Sequence, residues 1–427
     1  MGAGWIARDA AVVWHGFTQM SAFAENEPVI VERAEGRELI DVHGRRYFDA
    51  ISSLWVTTLG HRVPELDAAL RAQLERVAHS TLLGNGNRIV VELAEALAEI
   101  VPVRSPRFLF ASDGASAVEQ ALKIAFQYWI NEGVPGRTRY LAFGGAYHGD
   151  TVGSLSVGAG GFGTDIFDPL RFPVLRAPGF EDPRCFEIAA SLIEAHAGEL
   201  AAVVVEPLVQ GAAGMRMVPG EAFAPVAEAC GAAGVLLICD EIATGFGRTG
   251  TMFASEQCGL EPDLLCLGKA LGAGYLPIAA TAASARVHEA FLGEDLGPRT
   301  LYHGHSFQGN ALAAAVALRH LRLLQERDVL ANVRDRSAEL AKLLDERIGS
   351  LDSVSDVRLH GLMGAVELVT GAPAARRVAA GAVRRGVLLR SLGDVVTIVP
   401  PLSVTSADIH RIVTALEDAM RESDARA

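Results

Sequence analysis

The sequence predicts an α/β protein in which helices cover a mostly parallel central sheet and both chain ends form a smaller α+β domain. Through the middle of the chain, short apolar runs alternate with segments of helical periodicity, a pattern typical of buried parallel strands and their connecting helices. Strand-like segments and long helices occupy the two ends, and no linker separates them from the middle. A length of 427 residues suits one large domain with a smaller companion.

The elements follow one another without an internal repeat. Apolar runs broken by glycine-containing turns predict a small β-meander over 29–50. Apolar residues at helical spacing predict amphipathic helices over 64–77 and 89–100. The buried strands of the central sheet are expected at 108–111, 140–143, 202–206, 235–239 and 264–267.

After about residue 310 the pattern changes to a long helical region, 311–348. Strand-like segments follow at 357–368, 387–389 and 395–399, and a final helix is expected from Ser406. We therefore expect residues 1–60 and 311–427 to form the small domain and residues 61–310 to form the large one.

Composition excludes several classes of function. The chain has 38 Lys and Arg against 51 Asp and Glu, a net charge of −13, so nonspecific binding to nucleic acid or to anionic membranes is not expected. Five cysteines without C-x-x-C or Cys/His spacing predict neither a disulfide framework nor a metal site. With no secretory leader pattern and no apolar run long enough for a membrane span, we expect a cytoplasmic protein.

Lysine is rare in this chain, which makes each one informative. Lys123 and Lys342 lie in helical patterns, where a solvated face is the simple interpretation. Lys269 instead follows an apolar strand and opens a loop of small residues. Desolvation in such a setting lowers the pKa of an amine and makes it a candidate Schiff-base nucleophile, although an ordinary surface lysine fits the placement equally well.

Two further features suggest a cofactor site at the strand ends. Asp240 stands at the carboxyl end of an apolar strand, where it could cap a helix or hold a protonated ring nitrogen. Ser112, Asp113 and Gly114 lie between a strand and a long helix, a junction that suits a phosphate but also an ordinary capped helix. Together with Lys269, these residues form a coherent cofactor site.

Other residues fit the same site. Tyr147 and His148 follow the strand 140–143, where an aromatic ring could stack on a planar cofactor or simply pack in a turn. Glu206 ends the strand 202–206, and we expect it to pair with Arg248, as a structural ion pair or as part of the catalytic site.

With these residues assembled, the sequence resembles the class III pyridoxal-phosphate aminotransferases over nearly its whole length. The motifs that carry the resemblance, in the family's order and spacing, are SDGASAVEQALK, AYHGDT, VVVEPLVQGAAGM, DEIATGFGRTG, LGKALGAGYLPIAAT and HGHSFQGNALA. The resemblance implies a fold-type I homodimer with pyridoxal 5'-phosphate as cofactor and active sites shared between subunits.

The family's cofactor residues carry over motif by motif. Lys269 would bind the cofactor and shuttle the substrate proton, and Asp240 would hold the pyridine nitrogen. Ile242 and Tyr147 would sandwich the ring. The backbone N–H groups of Gly114 and Ala115 would bind the phosphate, and Ser306 would reach it from the neighbouring subunit.

Within the family, the chain is most similar to the branch that acts in biotin biosynthesis, on the strength of VWHGFTQM, VAHSTLLG and AFQYW. Arg390 matches the arginine that holds the keto acid's carboxylate, a task suited to a planar guanidinium. The substrate-binding residues implied are Phe17, Leu54, Trp55, Tyr147, Arg248 and Arg390.

This chain departs from the branch where substrate is expected to lie. Gly16 and Phe17 replace Pro and Tyr, Leu54 stands where a second tryptophan is common, and the segment 86–89 around Asn87 lacks the usual Thr-His-x-Pro. Ala115 replaces a serine beside the phosphate, and Ser391 a proline after the arginine. Repeated changes in one pocket indicate a reshaped substrate site.

We therefore expect a transaminase that works by two half-reactions. The favoured acceptor is 8-amino-7-oxononanoate, converted to 7,8-diaminononanoate with S-adenosylmethionine or lysine as the amine donor. The main alternative is a class III transaminase that aminates a carbonyl on another metabolite or on a peptide natural product. An aminomutase and a non-catalytic cofactor-binding protein fit the sequence less well.

Overall fold

The computed structural model describes residues 2–160 and 163–425. Its strands, in chain order, are β1 Val31–Glu35, β2 Glu38–Asp41, β3 Arg46–Asp49, β4 Arg107–Ala111, β5 Arg139–Phe143, β6 Leu175–Ala177, β7 Leu200–Val205, β8 Val209–Gln210, β9 Arg216–Met217, β10 Leu236–Asp240, β11 Leu264–Leu267, β12 Ala279–Ala283, β13 Val354–His360, β14 Met363–Leu368, β15 Val387–Leu388, β16 Arg390–Leu392 and β17 Val395–Ile398.

The helices of the same residues alternate with these strands. They are α1 Gly2–Val12, α2 Ser52–Trp55, α3 Pro64–Leu74, α4 Arg88–Ala98, α5 Gly114–Asn131, α6 Val152–Val157, α7 Cys185–Ala195, α8 Ala224–Ala233, α9 Ala285–Glu289, α10 Ala311–Glu326, α11 Val329–Arg347, α12 Ala372–Arg384 and α13 Ser406–Asp424. None of them has the length and apolarity needed to cross a membrane.

The central sheet has the strand order β4-β12-β11-β10-β7-β5-β6. Neighbours from β11 to β6 pair in parallel, whereas β12 is antiparallel to both β11 and β4. The predicted α/β class with a mostly parallel sheet is thus confirmed, and the five expected strands are present. The sequence missed β6, which is three residues long, and β12, whose run of alanines carries little strand signal.

Residues from the two ends of the chain meet in a second sheet, ordered β1-β2-β3-β15. The meander β1 to β3 was predicted, and β15 joins it in parallel, with Val387 opposite Phe48. Arg37 and Asp408 add a 2.8 Å ion pair between the two ends. A third sheet, β13-β14-β17-β16, lies in the C-terminal part. Division of the chain at residues 60 and 310 stays a prediction.

Two helical regions differ from the pattern expected from sequence. The region 311–348 is divided into α10 and α11, because Asp328 between them has a left-handed backbone with φ of 44°. The short element α2 is also unusual, since all four of its residues have positive φ. All five cysteines are buried and free.

Candidate active site

The predicted site residues follow strands that point the same way. β4, β5, β7, β10 and β11 run in one direction, so their carboxyl ends lie at one edge of the sheet. This edge is where open α/β sheets bind ligands. The residues at these ends or shortly after them are Gly114, Tyr147, His148, Glu206, Asp240 and Lys269.

Asp240 is buried and held by two hydrogen bonds. Its Oδ2 accepts from His148 Nδ1 at 2.8 Å, and its Oδ1 accepts from the backbone N–H of Ile242 at 3.0 Å. His148 is itself buried, and its Nε2 has no partner within the described chain. No specific role was predicted for His148, and its place beside Tyr147 was the one signal that pointed to it. The arrangement fixes the carboxylate of Asp240 in one orientation.

Lys269 lies two residues after β11, with its amine turned into the protein. Burial lowers the pKa of Lys269 below its usual value, and the charges of Asp240 and Glu206 oppose that shift. Its Nζ lies 5.1 Å from the centre of the Trp55 ring. No hydrogen bond to this amine is present in residues 2–160 and 163–425. The environment differs from that of a solvated surface lysine, and a buried amine with a lowered pKa can act as a nucleophile or base.

The start of α5 lies against Ile242. Asp113 caps the helix by accepting from the N–H of Ser116 at 2.9 Å, while the first N–H groups of any helix lack intrahelical partners. A Cβ on Gly114 would lie 2.8 Å from the Ile242 side chain, so the glycine permits this close approach. Gly149 likewise permits a close approach to Ala115, because a Cβ on Gly149 would lie 2.4 Å from the Cβ of Ala115.

Glu206 joins two loops at this edge. Its carboxylate accepts from the N–H of Tyr147 at 3.0 Å and from that of Gly211 at 3.3 Å. Burial raises the pKa of Glu206 to about 7, with His148 lowering it and Asp240 raising it further. The hydroxyl of Tyr147 donates to Asp150 at 2.9 Å.

The expected pair between Glu206 and Arg248 is wrong. Arg248 is fully buried, and its guanidinium donates to the carbonyl oxygens of Pro400 at 2.5 Å and Leu362 at 3.5 Å. Burial lowers the pKa of Arg248 to about 9. Both side chains bond to backbone groups instead, and Arg248 Nη2 is buried without a hydrogen-bond partner in the described residues. Whether Arg248 also contacts substrate stays a prediction.

Residues expected to bind substrate lie in more open positions. The side chains of Phe17 and Leu54 are 66% and 47% exposed, and Ser306 is exposed as well. Trp55 is buried. Arg390 pairs with Thr397 across β16 and β17, and its guanidinium has no carboxylate partner in the described chain. A charged group without a counterion suits a role in anion binding.

Asn87 has a structural function that the sequence did not reveal. It caps α4 by accepting from the N–H of Ile89 at 3.2 Å, and it donates to Ser80 at 3.0 Å. Because the side chain is buried in these contacts, Asn87 holds the backbone at the start of α4.

The assembled residues fit pyridoxal phosphate. Asp240 offers a fixed acceptor for a protonated ring nitrogen, Lys269 offers an amine, and the start of α5 offers N–H groups and a positive dipole end to a phosphate. The close approach of Gly114 to Ile242 gives the site an apolar wall.

Comparisons with known proteins agree with this chemistry. The Aminotransferase class-III family model matches residues 20–420. The chain is 45% identical to the adenosylmethionine-8-amino-7-oxononanoate aminotransferase of Nitratidesulfovibrio vulgaris, over 96% of this chain and 80% of the relative.

Solved structures extend the likeness to three dimensions. The enzyme of the same name from Methanocaldococcus jannaschii is 38% identical, with a TM-score of 0.96, and the match covers 99% of this chain and 100% of that one. An amine transaminase from an uncultivated Pseudomonas species, solved in its PLP-bound form, is 33% identical with a TM-score of 0.89, over 96% and 98% of the two chains. The expected fold-type I architecture is confirmed.

Proposed function

The chain belongs to the class III aminotransferases, which depend on pyridoxal phosphate, and from this premise we propose that it converts 8-amino-7-oxononanoate to 7,8-diaminononanoate in biotin biosynthesis. The observation that carries the transamination is the buried amine of Lys269 beside the Asp240–His148 pair. The substrate is supported by the names of the relatives at 45% and 38% identity.

The protein's own residues divide the work of transamination. Pyridoxal phosphate, when bound, supplies the electron sink that such a reaction needs. Asp240, oriented by His148, holds the proton on the ring nitrogen. Lys269 moves a proton at the substrate carbon, a task suited to an amine whose pKa is lowered by burial. The N–H groups of Gly114 and Ala115 hold the phosphate, while Ile242 and Tyr147 cover the two faces of the ring.

Arg390 is proposed to hold the carboxylate of the keto acid. Its guanidinium has no carboxylate partner within the described residues, and β16 pairs with β17, whose end contacts the turn that carries Trp55. An arginine binds a carboxylate through two parallel hydrogen bonds and so fixes the far end of a long substrate.

The assembly is proposed to be a cytoplasmic homodimer whose subunits share their active sites. Supporting this, apolar side chains at Phe17, Leu54, Tyr302 and Phe307 are exposed in the single chain. Ser306 lies between Tyr302 and Phe307 in the sequence. A partner subunit that covers these two side chains would therefore also contact the hydroxyl of Ser306. Light scattering should give twice the chain mass of 45.1 kDa, and a monomer that is active would contradict shared sites.

A half-reaction tests the substrate without a guess about the donor. We would add 7,8-diaminononanoate to the holoenzyme and follow the visible absorbance of the bound cofactor, with simple amines and 2,3-diaminooctane, which lacks the carboxylate, as controls. Bleaching by the acid in preference to 2,3-diaminooctane is expected, and Arg390→Ala should remove that preference. The absence of a visible band would overturn the cofactor assignment.

A transaminase for another carbonyl compound is the second candidate. The replaced and exposed residues Phe17 and Leu54 favour it, as does the likeness to an amine transaminase. If simple amines bleach the band and the diamino acid does not, this second function replaces the first.

A further inference from the structure

The tryptophan beside Lys269 is carried by an unusual turn. Ser52, Ser53, Leu54 and Trp55 have φ of 49°, 46°, 74° and 69°, although none is glycine. Left-handed backbone costs free energy at every residue that has a Cβ, so such residues occur singly and seldom in runs. A run persists where surrounding contacts hold it, and such strain is a reason to look for a function.

Asp49, the last residue of β3, holds one side of this turn. Its Oδ1 accepts from the N–H of Ser53 at 2.9 Å, and its Oδ2 accepts from the hydroxyl of Ser53 at 2.7 Å and from His61 Nε2 at 3.0 Å. Asp49 is fully buried. On the other side, the hydroxyl of Ser52 donates to the carbonyl of Val399 at 2.6 Å. The turn is therefore clamped between the ends of β3 and β17.

The clamped turn determines where the Trp55 ring lies. Lys269 Nζ lies 5.1 Å from the ring centre, and a Cβ on Gly211 would lie 2.9 Å from a ring atom. The backbone N–H of Gly211 in turn donates a hydrogen bond to the carboxylate of Glu206. If the turn relaxed to right-handed backbone, the direction of the Trp55 side chain would change and the ring would leave both contacts.

We propose that Asp49 is a positioning residue for transamination. It holds the turn Ser52–Trp55 in its left-handed form and so keeps the Trp55 ring against the amine of Lys269. The inference rests on the proposed function, since Trp55 then bounds the space in which the reacting carbon of the substrate lies. Asp49 acts through Trp55, because no hydrogen bond or ion pair joins it to Lys269 or Asp240 in the described residues.

Asp41 provides a matched control. It is equally buried and belongs to the same sheet, at the end of β2. Its Oδ1 accepts from the N–H groups of His43 and Arg45, each at 2.9 Å, so it also holds a turn. That turn carries no residue of the site. Loss of either carboxylate should lower stability, whereas only loss of Asp49 should alter the chemistry.

The first test is kinetic and uses the holoenzyme. Asp49→Ala should lower kcat by roughly 10- to 100-fold, the range expected when a positioning contact is lost, while Asp41→Ala keeps the wild-type kcat. Adding Ser53→Gly to Asp49→Ala should restore part of kcat, because glycine adopts left-handed backbone without the cost of a Cβ. If Asp49→Ala does not fold, Asp49→Asn is used in its place, because the amide oxygen still offers Ser53 one acceptor.

The second test does not depend on activity. It measures how strongly acrylamide quenches the fluorescence of Trp55. Because the chain has four tryptophans, the Trp55 signal of each protein is isolated by subtracting the fluorescence of the same protein carrying Trp55→Phe. The quenching should rise in Asp49→Ala, fall again with Ser53→Gly, and stay unchanged in Asp41→Ala. An active wild type with equal kcat and equal quenching in both alanine variants would overturn the role of Asp49. A wild type without transaminase activity would instead overturn the proposed function, and the quenching would still test the clamp.

Discussion

The cofactor side and the substrate side of the site are held in different ways. On the cofactor side, Asp240, His148 and Glu206 are buried at the ends of packed strands and hydrogen-bonded to fixed partners. On the substrate side, Phe17 and Leu54 are exposed. The hydrogen bonds of these three cofactor-side residues all lie within one chain. The exposed side chains of the substrate side depend on turns and on the groups that cover them. Changes on the cofactor side should therefore affect the chemistry itself, and changes on the substrate side should affect the choice of substrate.

The largest effect is expected from Lys269→Ala. Because no other lysine lies at the strand ends, loss of this amine should abolish turnover and the absorbance band that depends on a covalent bond between Lys269 and the cofactor. Lys342→Ala is the control, since that lysine is exposed on α11, 3.8 Å from Glu346. Absorbance spectra and a coupled transaminase assay measure the two outcomes. Full activity in Lys269→Ala would remove the basis for a distinct cofactor side.

His148→Leu should have the next largest effect. A hydrogen bond to a charged group contributes roughly 1.5–3 kcal/mol, so losing the contact to Asp240 should lower kcat by about 10- to 100-fold. His320→Leu is the matched control, because His320 is also buried but bonds to Thr58, at 2.7 Å. Both variants should lose stability, measured by denaturant unfolding. Equal kcat in the two variants would show that His148 serves folding alone.

The same contrast explains what the sequence could predict. Asp240 and Lys269 follow strongly apolar strands, so their place at one sheet edge follows from chain direction alone. His148 and Glu206 stand at equivalent strand ends, but which partner each would choose depends on distances that a sequence does not contain. Glu206 accepts from two backbone N–H groups and Arg248 donates to two carbonyl oxygens, so the expected pair between them is absent.

The substrate side was less predictable for a physical reason. Nothing in Ser52–Trp55 indicates a left-handed turn, because the segment has no glycine or asparagine. Its backbone is set by Asp49 and Val399, the second of which lies far along the chain. Motifs fixed by local strand geometry can thus be predicted, whereas conformations imposed by distant contacts cannot.

Glu206 gives the cofactor side a pH dependence. Burial raises its pKa from 4.5 to about 7, so between these values the folded protein keeps a proton that the unfolded chain releases. Stability should therefore fall as pH rises through this window, by on the order of 3 kcal/mol relative to Glu206→Gln, and level off above it. Denaturant unfolding of the cofactor-free protein from pH 5 to 8 measures this.

A surface glutamate offers a control of opposite sign. Hydrogen bonds from Arg421 and Arg347 lower the pKa of Glu417, so its contribution to stability is lost as pH falls. Relative to Glu417→Gln, the wild type should gain stability as pH rises to about 4.5, and the difference should stay level from pH 5 to 8, so the unfolding series is extended below pH 4.5. The same slope for both glutamates would mean that burial does not distinguish Glu206.

The smallest effect is expected on the substrate side, from Phe17→Tyr. The biotin branch has a hydroxyl here, and one hydrogen bond contributes about 1 kcal/mol, so kcat/KM for 8-amino-7-oxononanoate should rise by no more than about fivefold. The bound cofactor's absorbance should not change. Leu54→Trp, which restores the branch's second aromatic side chain, should act in the same direction, and the two changes together should add if the contacts are independent. A hundredfold change from Phe17→Tyr alone would mean that a single exposed residue sets substrate choice. Changes on the two sides of the site would then have effects of similar size, which contradicts the contrast drawn between them.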